Sequence, residues 1–120
     1  MRVLLDTNFI MDCFRYRIDM AELFDLVPGA KLATIPQVVY ELKRLAARKS
    51  VQSRPAKVAI SLIEGIEMVA APQGRADEVF VWLASKDAVV ATNDEHLRRR
   101  IAARGLKTIY LRGRKHLAVS

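Results

Sequence analysis

The sequence predicts an α/β fold: a central, mainly parallel sheet of four to five strands with helices on both faces. Three observations predict it. Short apolar runs alternate with stretches of helical periodicity along the whole chain. About half of the 120 residues are apolar, enough for one compact core and too few residues for two domains. No internal repeat, low-complexity segment or linker interrupts the alternation, so residues 1–120 are expected to form a single domain.

The elements follow in order. Arg2-Val-Leu-Leu-Asp6 reads as a buried opening strand. Asn8 to Tyr16 reads as a helix with Phe9, Cys13 and Tyr16 on one face, and Met20 to Leu26 repeats the pattern until Val27-Pro28-Gly29 stops it. Lys31 to Ile35 is a second short strand. Pro36 suits the first turn of the next helix, where its missing N–H costs nothing; this helix runs to about Arg48 with Val38, Leu42 and Leu45 inward. Ser50 to Pro55 is polar and expected as a loop, since Pro55 disfavours helix at Arg54. Ala56 to Glu64 is a helix, Glu67-Met-Val69 a candidate short strand, and Ala71-Pro-Gln-Gly74 a turn. Asp77 to Ser85 is helical, Ala88 to Ala91 a buried strand, and Asp94 to Ala103 a helix closed by Gly105. Lys107 to Leu111 is the last clear strand. The tail is ambiguous, with His116-Leu-Ala-Val119 able to add an edge strand.

No apolar run approaches the ~20 residues of a membrane helix. Val3-Leu4-Leu5 is too short for a signal peptide, so a soluble cytoplasmic protein with no membrane partner is expected. Cys13 is alone and reads as a small buried apolar residue. The formal net charge is +7, and its distribution is informative. Fourteen of the twenty basic residues lie in two acid-free segments, Leu42 to Ile63 and His96 to Ser120. That is the electrostatic footprint of a polyphosphate partner, although a basic face kept for solubility would leave a similar trace.

In an open parallel sheet, sites form beyond the carboxyl ends of the strands. Asp6 ends the first strand and Asp94 follows Val89-Val-Ala-Thr92, so both are expected at one sheet edge. Glu41 stands on the helix after the second strand, sharing a face with Gln37 and Arg44. Asp77 begins the helix after the Gln73-Gly74 turn. Each acid alone has a plainer reading: an N-cap for Asp94, a surface pair for Glu41, a favourable charge at a helix start for Asp77. Together they form a cluster whose mutual repulsion a hard divalent cation, Mg²⁺ or Mn²⁺, would offset. No histidine or cysteine cluster offers a zinc site.

Four segments in this order resemble the PIN-domain nucleases. They are Leu5-Asp6-Thr7-Asn8, Ile35-Pro36-Gln37-Val38-Val39-Tyr40-Glu41-Leu42, Gly74-Arg75-Ala76-Asp77-Glu78 and Val89-Val90-Ala91-Thr92-Asn93-Asp94. The likeness spans essentially the whole chain. Val89 to Leu111 is similar in particular to archaeal PIN proteins, and the chain resembles both VapC-type toxins and PIN proteins of ribosomal RNA processing. The resemblance implies a three-layer α/β/α fold, a Mg²⁺- or Mn²⁺-dependent endoribonuclease, frequent homodimers, and either an antitoxin protein or a ribosome-assembly factor as partner. It makes Asp6, Glu41, Asp77 and Asp94 the metal-holding, catalytic quartet. Thr7 and Asn8 would fix the first carboxylate, and Thr92 or Asn93 would support the fourth. Glu78 stands where a second Asp is usual, so it can share or replace the role of Asp77. The Ser85-Lys86-Asp87 loop looks about one residue short of the usual pattern. Lys43, Arg44, Arg48, Arg98, Arg99 and Arg112 are the expected grips on the RNA backbone. Few aromatic residues are present, so a long base-stacking platform is not expected.

Two rivals compete with this reading. A catalytically inert RNA-binding scaffold of the same fold would show no metal-stimulated cleavage. A phospho-acceptor or phosphatase domain also uses acids at strand ends, but it would want an Asp at position 8 or a Lys after a late strand, and neither is seen.

Overall fold

The computed structural model describes residues 1–120. Six strands form one sheet: β1 (Arg2–Leu5), β2 (Lys31–Thr34), β3 (Glu67–Met68), β4 (Ala88–Ala91), β5 (Thr108–Arg112) and β6 (His116–Val119). The helices are α1 (Thr7–Arg15), α2 (Ala21–Leu26), α3 (Pro36–Ala47), α4 (Ser53–Ile63), α5 (Ala76–Leu83) and α6 (Glu95–Ala102). The sheet order is β3-β2-β1-β4-β5-β6, and only the β5–β6 pair is antiparallel. This is the expected α/β fold with one strand more than four to five, because the ambiguous tail does pair.

That sixth strand depends on a tight reversal. Gly113 and Arg114 have φ of 60° and 59°, and Lys115 N–H donates to the Arg112 carbonyl at 3.2 Å. Positive φ at both central residues is the hairpin turn whose twist matches the strands it joins. Gly113 takes this conformation freely, while Arg114 is held there by the pairing of β5 with β6.

β1 and β4 are central and their inward residues are sealed from water, Val3, Leu4, Leu5, Val90 and Ala91 among them. Helices α1, α3 and α4 pack on one another, and α5 packs on α6. Right-handed crossovers place these two groups on opposite faces, because the chain moves one way along the sheet from β1 to β3 and the other way from β4 to β5. One cluster of 25 buried apolar residues fills both interfaces. No helix is long and apolar enough to cross a membrane.

The expected loop at 50–55 needs correction. Helix α4 begins at Ser53, inside it. Pro55 is the third helical residue, and a first-turn N–H has no carbonyl four residues back within the helix, so the ring removes nothing. Ser53 Oγ–H instead ties the start of the helix to the Ala46 carbonyl of α3 at 2.8 Å.

Candidate active site

The strand order reverses between β1 and β4: the chain leaves β1 towards β2 and β3 on one side, then returns to β4 on the other. A crevice opens where such a reversal occurs, beyond the carboxyl ends of the strands. Leu5 and Ala91 are opposite one another in register, so Asp6 and Thr92 emerge there side by side.

Asp6 caps α1 and is only 8% exposed. Its Oδ1 accepts the Thr7 N–H at 2.8 Å, and its Oδ2 accepts the Thr92 hydroxyl at 2.7 Å. Burial pushes its pKa from 3.8 up to about 6 against these two hydrogen bonds, and the charges of Glu41 and Asp94 push the same way. Glu41 and Asp94 are thus the carboxylates whose charge bears on Asp6. Asp94 caps α6 with Oδ1, which accepts the His96 and Leu97 N–H groups at 2.9 and 3.3 Å. Its Oδ2 takes no hydrogen bond from the chain, and neither does Glu41 Oε1, whereas Glu41 Oε2 accepts the Thr7 hydroxyl at 3.1 Å. Two helix N-termini, α1 and α6, therefore face these acids and offset part of their repulsion.

The residues expected to support the acids form a linked set of hydrogen bonds around them. Thr7 fixes Asp6 through its backbone and Glu41 through its hydroxyl. Thr92 serves both ends, donating to Asp6 and accepting the Asp94 N–H at 3.1 Å. Asn8 holds no carboxylate; its Oδ1 accepts the Asn93 N–H at 3.0 Å. Asn93 in turn donates to Asp12 at 3.0 Å and accepts the Leu111 N–H at 2.8 Å, tying α1 to β5. Sequence reading passed over Asp12, although Asn8 and Asp12 stand one turn apart on α1 and so share a face.

Asp77 and Glu78 are held by arginines. Asp77 lies 3.3 Å from Arg75 and 3.9 Å from Arg100. Glu78 is bonded by both Arg100 amino groups at 2.8 Å, which hold its carboxyl below its ordinary range. Among the expected RNA grips, Lys43, Arg44, Arg48 and Arg112 are exposed. Arg99 pairs with Glu95 at 2.6 Å. Arg98 is stacked 3.6 Å over the Tyr110 ring, and its Nε is enclosed without an acceptor. Cys13 is buried, and burial, with the charges of Asp12 and Glu22, pushes its thiol up to about 12, which leaves it inert.

The side-chain atoms around Asp6 that could ligate a metal, those of Glu41 and Asp94, are oxygens, the chemistry that Mg²⁺ and Mn²⁺ prefer over zinc. No three His, Cys, Asp or Glu side chains are grouped closely enough to enclose an ion by themselves. A cation held by these residues would have to keep several waters, since the side chains alone do not enclose it.

A mostly parallel sheet whose order reverses at β1/β4, with acids at that reversal, defines an open, doubly wound α/β domain with an acidic crevice. The chain belongs to the PIN-like domain family, whose model matches residues 3–114. It is similar to the PIN domain endonuclease Utp24, with 28% identity and a TM-score of 0.77 over 99% of this chain and 90% of that one. Two further structures share the fold at 16% identity. One is a domain of a functionally unknown protein from Methanocaldococcus jannaschii, with a TM-score of 0.62 over 93% of this chain and 91% of that one. The other is VapBC-1 from nontypeable Haemophilus influenzae, with a TM-score of 0.54 over 86% of this chain and 94% of that one. No curated protein matches the chain.

Proposed function

We propose that residues 1–120 are one nuclease domain, a divalent-metal-dependent endoribonuclease that hydrolyses phosphodiester bonds of RNA in the cytoplasm. The carrying observation is Asp6: a buried carboxylate with two further acids bearing on it at the sheet's reversal point. Similarity to an endonuclease over nearly the full length of both chains supports the reaction class.

Asp6, Glu41 and Asp94 would hold Mg²⁺ or Mn²⁺, with Asp77 as the fourth acid once its arginine partners yield. When bound, the ion would supply activation of a water and stabilisation of charge on the phosphoryl oxygens. Thr92 holds Asp6 in place and fixes the turn that presents Asp94. Thr7 fixes Glu41 at the edge of the crevice, where its free Oε1 can orient a water or accept its proton. Exposed Lys43, Arg44, Arg48 and Arg112 give the backbone grip, which weakens as salt rises. The same reaction serves a toxin restrained by an antitoxin or an enzyme maturing ribosomal or other stable RNA, in either case as a homodimer.

The test is a cleavage assay on structured and unstructured RNA with Mg²⁺, Mn²⁺ or EDTA, comparing wild type with Asp94→Asn. Cleavage that needs the ion and is lost in the variant is expected. Equal activity in both proteins refutes the site, and no cleavage under any condition favours the inert scaffold.

A further inference from the structure

A groove of about 690 Å³ runs beside Glu41, between α3 and the loop Ala71–Arg75. Its far wall is built rather than incidental. The Gln37 side-chain amide donates to the carbonyls of Pro72 and Gly74 at 2.9 and 3.3 Å, binding the loop to α3. The near wall is the outer side of α3: Val38 and Leu42 turn into the core, while Tyr40 between them lines the groove and is 70% exposed. Arg44 lies one turn beyond Tyr40 on the same side of α3, is exposed, and has no carboxylate within ion-pair distance. Arg75, on the loop, keeps 83% of its side chain exposed while touching Asp77.

We propose that this groove seats one unpaired nucleotide of the substrate, with Tyr40 stacked on its base and Arg44 on its phosphate. The inference rests on the nuclease reading and narrows it. An aromatic face offers stacking to any base, and two guanidinium groups offer anion contacts, so the groove matches a single strand in both its chemistries. A base held in a duplex cannot present a face to Tyr40, so the seated nucleotide must be unpaired. Glu41 also lines a second groove, of about 440 Å³, with Thr7, Asp12 and Arg15. A strand laid across both grooves passes its backbone over Glu41, next to the buried Asp6. Tyr40 is thus a binding and positioning residue that sets which phosphodiester reaches the acids.

The test measures binding of a short, unstructured, fluorescently labelled single-stranded oligoribonucleotide in EDTA, where cleavage is stopped. Wild type, Tyr40→Phe and Tyr40→Leu are compared, together with oligonucleotides carrying one abasic position in turn. Tyr40→Phe is expected to bind within about twofold of wild type, and Tyr40→Leu about 5- to 150-fold more weakly. One abasic position should cost wild type a similar factor and cost Tyr40→Leu nothing more. Undiminished binding by Tyr40→Leu overturns the subsite alone, as does the absence of any sensitive abasic position in wild type, a result that needs no variant to fold. A Tyr40→Leu protein that binds RNA normally but changes its self-association assigns the residue to a protein contact and overturns the subsite too. If wild type binds no RNA at all, the nuclease reading falls with it.

Discussion

Replacing Asp6 with asparagine should stabilise the protein at neutral pH while removing the group proposed to act. The carboxyl moves from 3.8 to about 6 on folding, chiefly because it is buried. A shift of that size costs roughly 3 kcal/mol of folding free energy once both folded and unfolded forms are ionised. The sign follows from proton counts. Below pH 4 the group is protonated in both states and costs nothing. Between about pH 4 and 6 the folded state keeps a proton that the unfolded state has lost, so this group's contribution to stability falls as pH rises, and above pH 6 the full penalty stands. Asparagine escapes the penalty and still caps α1 well, but it forfeits the charge-assisted bond from Thr92. The net gain expected at pH 7.5 is about 1–3 kcal/mol, or about 4 °C in melting temperature per kcal/mol. Denaturant unfolding of both proteins in EDTA at pH 4, 5, 6 and 7.5 measures it. A wild-type-to-variant difference that does not change with pH would refute the reasoning. Added Mg²⁺ should stabilise wild type and leave Asp6→Asn nearly unmoved.

Further outcomes follow from neighbouring groups. Thr92→Val strands both Asp6 Oδ2 and the Asp94 N–H, so it should cost about 1–3 kcal/mol in unfolding free energy and move the Asp6 titration, followed by carboxyl-carbon NMR, above pH 6. Glu78→Gln should leave metal-dependent cleavage intact, since Arg100 already occupies Glu78, whereas Asp77→Asn should lower it; the opposite ranking in a turnover assay would make Glu78 the fourth acid. Arg44→Gln should weaken single-stranded RNA binding and reduce the slope of log affinity against log salt by about 0.7, one phosphate contact.

Sequence revealed the centre of this molecule better than its margins. The runs at β1 and β4 were legible because burial on both faces leaves mainly apolar residues there, and Asp6 was legible because it stops the first of them. The start of α4 was not, because proline's bias against helix applies to the residue before it and says little once Pro55 itself falls in a first turn. β6 was ambiguous because its turn uses an arginine at positive φ, a strain that only the finished strand pair holds. The four acids were visible as residue types, but their company was not. That Asp77 and Glu78 lean on Arg100, and that Asn93 serves Asp12 rather than Asp94, depends on contacts spanning 22 or more positions, which no local pattern encodes.

The hydrogen bond from Thr92 to Asp6 joins residues 86 positions apart. The Thr7 N–H can reach Asp6 locally, but the Thr92 bond waits until β1 and β4 have found each other. Such distant pairings are the slow part of folding. The environment of this carboxylate is therefore fixed late, once β1 and β4 stand in register.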